Sequence, residues 1–102
     1  MLDDFQYLAS WYHQHCDGER EHSYGIAIDT LDNPGWKICI DLQDTPLEGR
    51  TLSPPVKVEE SEERWLHVHV ENQRFVAFCG PESLPRALEV FRQWSSQASD
   101  ST

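Results

Sequence analysis

Cations are few in this chain. Lys and Arg together number 8 against 18 Asp and Glu, so its 102 residues carry a formal net charge of −10. That balance argues against binding DNA, RNA or anionic membranes by simple electrostatics and favours a basic partner, although solubility alone also accounts for it. Cysteine is sparse as well. Cys16, Cys39 and Cys79 are odd in number, well separated and free of any CxxC spacing, which reads as reduced thiols of the cytoplasm and not as a disulfide framework. No apolar run approaches membrane-spanning length, and the opening MLDDFQYLASWY has neither the basic start nor the long apolar centre of a secretory signal. Glycine-rich phosphate loops, a GxSxG elbow, an HExxH pair and internal repeats are missing too. What remains is one soluble domain with one modest core, expected over residues 1–97, and a small polar tail at 98–102 expected to fray.

The chain is organised around residues 25–42, GIAIDTLDNPGWKICIDL, which read as a β-hairpin. Trp36, Ile38, Ile40 and Leu42 share one face, and Lys37, Cys39 and Asp41 the other; Tyr24, Ile26 and Ile28 alternate with Gly25, Ala27 and Asp29 in the first arm. Asn33-Pro34-Gly35-Trp36 suits a type II turn, with proline at its second position and Gly35 at positive φ. Before the hairpin, Leu2, Phe5, Leu8, Trp11, Tyr12 and His15 recur at helical spacing, Asp3 and Asp4 occupy the first turn, and Gly18 is the expected C-cap. After it, residues 43–63 contain three prolines and four acids in five residues, with one short strand expected near 49–52 or 56–58. Trp65–Glu71 and Arg74–Cys79 form a second hairpin. Ser83 then caps a closing helix with Leu84, Leu88, Phe91 and Trp94 along one stripe. The fold class expected is α+β, an antiparallel meander sheet of four to five strands with an N-terminal and a C-terminal helix packed on one face. Its other face would show Lys37, Cys39, Asp41, Trp65, His67, His69 and Glu71.

Candidate chemistry is thin. His67 and His69 form an H-x-H pair on one strand face, and His13, His15, Cys16, Glu21 and His22 gather near the end of the first helix. Zinc accepts such ligands, but none has the spacing of a metal motif, and residues two apart on a helix point in different directions. Cys16 beside His13 and His15 lacks a third group or an oxyanion hole. No catalytic residue, metal or cofactor is therefore assigned. A small metal- or thiol-dependent enzyme and a housekeeping interaction module remain the alternatives to a dedicated inhibitor.

Trp11-Tyr12, Cys16-Asp17-Gly18, Glu21-His22, Tyr24-Gly25-Ile26, above all Thr30-Leu31-Asp32-Asn33-Pro34-Gly35-Trp36, then Ile40-Asp41-Leu42, Thr45, Phe75, Gly80, Leu84 and Phe91-Arg92-Gln93-Trp94 form one pattern along the chain. In these residues the chain resembles the immunity protein 53 family. It departs from the family at Glu19-Arg20, where an Asp-Trp pair often stands. The resemblance implies a bacterial, cytoplasmic immunity protein of a polymorphic toxin system that binds a cognate toxin domain one-to-one, with no catalysis of its own. The toxin would be basic, with a nuclease as a plausible type, and neither nucleic acid nor membrane would be bound directly. Candidate contacts are Asp17, Glu19, Glu21, His22, Asp32, Trp36, Glu59, Glu60, Glu62, Glu63, Trp65, His67 and His69, with Trp65 the first choice of aromatic anchor.

Overall fold

Asp3 opens the first helix with a reciprocal cap. Its carboxylate accepts the Gln6 N–H at 2.7 Å, while the Gln6 side-chain oxygen accepts the Asp3 N–H at 3.1 Å. The structure, a computed structural model, describes residues 3–100; Leu2, expected on the helical stripe, lies outside them. Helix α1 (Asp4–Gln14) buries Leu8 and Trp11. Phe5 and Tyr12 do not join them: they stay 54% and 37% exposed. Tyr7 takes their place, with its ring edge against Phe91 and its hydroxyl 2.7 Å from the Ser95 oxygen. The C-cap is His15, not Gly18, which adopts φ +95° in the loop that follows.

Strands β1 (Ile26–Leu31) and β2 (Gly35–Asp41) pair antiparallel, with Leu31 opposite Gly35. The turn is Asp32–Pro34, and Gly35 is already strand. It does not have positive φ, contrary to the type II expectation; among the described residues only Gly18 and Gly49 are glycines of that kind. Glycine is required at 35 for space. A Cβ there would sit 2.4 Å from the Cys79 carbonyl oxygen, in the neighbouring strand.

Strand β3 (Val56–Glu59) falls at the later of the two expected positions. Strands β4 (Trp65–Glu71) and β5 (Arg74–Cys79) form the second hairpin with the expected limits. Asn72 and Gln73, at φ 51° and 60°, make the two-residue turn whose twist matches the strands. Ser83 accepts the Ala87 N–H on its carbonyl at 3.1 Å, and helix α2 (Leu84–Asp100) follows. Of the expected frayed tail, residues 101 and 102 lie outside the described ones.

The five strands are all antiparallel, in the order β1-β2-β5-β4-β3. The sheet is therefore not one continuous meander: β5 intervenes between β2 and β4, and β3 is sent to the far edge. The β2–β3 connection makes this crossing. Leu47 is buried along it, Leu52 packs against the core, and the Trp94 indole N–H donates to the Thr51 carbonyl at 3.2 Å. Ile38 and Ile40 of β2, Phe75 and Ala77 of β5, and Leu66 and Val68 of β4 present one buried face, and both helices close it. Phe91 is the hub, meeting Trp11, Phe75 and Trp94 at ring-centre distances of 5.2, 5.0 and 6.3 Å. Arg92 of α2 is tied to Asp4 of α1.

Candidate functional site

Most of the residues singled out from the sequence fall at two corners of the sheet. At one corner, β3 turns into β4, with Glu59 opposite Trp65. The Arg64 carbonyl accepts the Glu60 and Ser61 N–H groups at 2.9 and 3.1 Å, and the Ser61 hydroxyl oxygen accepts those of Glu63 and Arg64. These bonds gather Glu59, Glu60, Glu62, Trp65 and His67 around one shallow depression. Trp65 is half-buried on the open face, as expected. Cβ atoms added at Gly35 and Gly80 would meet its ring at 3.4 and 3.0 Å, so the indole packs closely against two glycines. Its ring edge meets His67 at 5.4 Å.

Part of this acidity is already balanced. His67 Nε2 lies 3.0 Å from a Glu59 carboxylate oxygen, Lys57 lies 3.9 Å from the same oxygen, and Arg86 approaches Glu60 at 3.6 Å. His69 sits farther along, 3.0 Å from Glu71 and stacked on Phe78, whose ring the Lys37 ammonium also covers at 5.6 Å. The H-x-H pair is therefore divided between two carboxylates. Among the described residues, no group of three or more His, Cys, Asp or Glu converges on a point where a metal could sit.

The hairpin residues are split. Asp32 is exposed at the turn, whereas Trp36 packs against the core on the helix side and donates its indole N–H to the Pro81 carbonyl at 3.1 Å. Burial pushes the Cys39 and Cys79 thiols above their ordinary range, which suits inert packing and not nucleophilic chemistry.

At the diagonally opposite corner, Asp17, Glu19, Glu21 and His22 occupy the loop between α1 and β1. The Asp17 carboxylate accepts the N–H groups of Arg20 and Glu19 at 2.8 and 2.9 Å, which holds it below the usual carboxylate range. Glu21 accepts those of Asp17 and Gly18 at 3.0 and 2.9 Å. These carboxylates are fixed by their own loop. Beneath them Arg20 is only 3% exposed. Its guanidinium donates to the Asp41 and Gln43 carbonyls, both at 2.7 Å, and lies 5.8 Å from the ring centres of Trp11 and Tyr24. Sequence reasoning treated Arg20 only as a family departure, yet it locks the loop to the end of β2. The two corners lie at opposite edges and opposite ends of the sheet, farther apart than its width of about 19 Å at the usual strand spacing, so the two acid groups do not surround one anchor.

Sequence reasoning also missed a groove of about 390 Å³ between α1 and the start of β1, lined by Phe5, Leu8, Ala9, Tyr12, Tyr24 and Ile26 among others. Phe5 and Tyr12, seven residues apart, were the available signal, because a stripe that includes both is wider than a single buried seam.

The described residues thus form a small α+β domain with acids at two corners of its sheet and the aromatic side chains of Phe5 and Tyr12 exposed. Residues 5–96 match the family model described as Immunity protein 53, and the chain belongs to that family. The family's role is toxin neutralisation in general. No curated protein and no solved structure matches the chain. Among the described residues, no helix is long and apolar enough to cross a membrane.

Proposed function

We propose that this protein is a cytoplasmic immunity protein of a bacterial polymorphic toxin system, which binds a cognate toxin domain one-to-one and blocks it without catalysis of its own. The family match over residues 5–96 carries the reading. The net charge of −10 gives the partner its chemistry. A toxin with a basic groove, as a nuclease has, is steered toward such a surface, and an acidic surface that fills the groove excludes the phosphate backbone it would otherwise take. The Glu59–Glu63 corner supplies rim charge, and Trp65, seated on its two glycines, supplies a rigid apolar contact.

The test is co-expression with the toxin encoded beside this gene, scored by growth, followed by binding kinetics. Raising salt from about 0.05 M to about 0.5 M should slow association markedly and change dissociation much less. Changing Glu59, Glu60, Glu62 and Glu63 together to Gln should slow association at low salt, whereas Trp65→Ala should speed dissociation and cost about 2 kcal/mol. If no neighbouring toxin binds, the reading fails. Association indifferent to salt and to the four-residue change removes the electrostatic mechanism.

A further inference from the structure

Strand β1 is an outer strand, and among the described residues no strand neighbours one side of its backbone. The Asp41 N–H donates to the Gly25 carbonyl at 3.0 Å. Bonded pairs recur at every second residue of an antiparallel ladder, so Ala27, Asp29 and Leu31 bond inward to Cys39, Lys37 and Gly35. Ile26, Ile28 and Thr30 therefore aim their N–H and C=O groups away from the sheet. The strand is six residues long and holds neither proline nor lysine.

Beside this edge lies the groove between α1 and β1. Phe5 and Tyr12, the large hydrophobic side chains left exposed among the described residues, both line it. An added strand would use the free main-chain groups for affinity and turn alternate side chains into the groove. Charge selects the occupant. Glu21 lines the groove and Asp29 projects from the edge strand, while Asp17 and Glu19 stand in the preceding loop. Among the described residues, no Lys or Arg side chain forms an ion pair with any of these four. A second copy of this chain would bring another −10 of charge and the same acids to the contact. A cationic segment would meet them favourably.

We infer that the β1 edge and the Phe5–Tyr12 groove bind one extended, positively charged segment of the toxin as a sixth strand. An apolar side chain of that segment packs against Phe5 and Tyr12, and its Lys or Arg residues lie beside Glu21 and Asp29. The inference rests on the neutralisation reading, since the toxin supplies the segment.

The toxin domain encoded beside this gene is the probe, and its dissociation from the full chain is the measurement. Thr30→Pro removes one outward N–H where an edge strand tolerates proline. Phe5→Ala removes an exposed ring. Each should speed dissociation by about tenfold or more while the melting curve keeps its cooperative shape. Hydrogen exchange on the wild-type chain is the second measurement and needs no variant to fold: the Ile28 and Thr30 amides should exchange quickly alone and at least about tenfold more slowly in the complex. Wild-type binding with unchanged dissociation for both variants and no added protection at Ile28 and Thr30 overturns the edge inference and leaves neutralisation standing. Protection of the same amides in a dimer of this chain alone assigns the edge to a second copy and overturns it as well. Failure of the wild-type chain to bind overturns the neutralisation reading, and the inference with it.

Discussion

The two outer strands of the sheet meet solvent in different ways. β3 is four residues long, follows Pro54 and Pro55, and projects Lys57 beside the Glu59 carboxylate. Short length, proline and a charged lysine are the usual means of keeping an open strand from pairing with a stranger. β1 is six residues long and has none of these guards; it runs instead beside an apolar groove. A protein can leave such an edge bare if something else deters its own copies. The net charge of −10 acts at a distance and discriminates by sign, so it would oppose a second copy at this edge and favour a cationic segment. One edge is guarded by its local sequence, the other by charge alone.

That contrast can be broken at the joint between the two halves. Gly35→Ala should cost about 3 kcal/mol, because its new Cβ would meet the Cys79 carbonyl oxygen at 2.4 Å and force β2 away from β5. Thermal melting checks it, and an unchanged midpoint would mean that the strands part there without strain. Next comes Arg20→Met, expected to cost about 2 kcal/mol by leaving the Asp41 and Gln43 carbonyls unpaired at the start of the open edge. Arg20→Lys should recover less than half of that in urea unfolding, because an ammonium lacks the planar fork that serves both acceptors.

Acid should sharpen the contrast further. The Asp17 carboxyl is depressed below 3.8 chiefly by the Arg20 and Glu19 N–H groups. A carboxyl lowered on folding stabilises the protein above its unfolded value and loses that contribution as pH falls through its folded value. Asp17→Asn should therefore be less stable than wild type at neutral pH, and the gap should narrow below about pH 4 in acid unfolding. A gap independent of pH would show that the carboxylate charge has no part in holding the loop. The smallest effect is expected from Phe5→Ala, within about 0.5 kcal/mol of wild type, because the ring stands mostly in solvent. Trp11→Ala, one face away on the same helix, should cost about 3 kcal/mol or more in the same melting experiment. Equal losses would mean that Phe5 belongs to the core.

Local chemistry was readable from the residues, and distant contact was not. The limits of β4 follow from its alternation and those of β5 from the break at Gly80-Pro81, whereas the Asp3–Gln6 cap was missed, since Asp3 was placed inside the first turn and not at the N-cap. Strand order is a different matter. Turn residues specify which strands share a hairpin, but nothing in residues 43–55 states that β3 must cross to the far edge so that β5 can pair with β2. Gly35 shows the same limit. Its place after Asn33-Pro34 suggested a turn requirement, while the real constraint comes from a carbonyl at residue 79. Of the candidate site, the Glu59–Trp65 corner was legible because its members are neighbours in sequence. Its separation from Asp17–Glu21, and the burial of Arg20 between two rings, depend on how the loop folds over β2.

The strand order also bears on how the protein is made. β1 and β2 leave the ribosome as a self-contained hairpin, but β2's other partner, β5, comes later, and Phe91 and Trp94 of the core later still. At ordinary elongation rates the interval between Asp41 and Trp94 is about 3 to 10 s. During that time the Ile38 and Ile40 side chains have no Phe75 or Phe91 to cover them. The β1 edge thus has its local partner early and its core last, and a chain released before α2 would carry the edge without the core behind it.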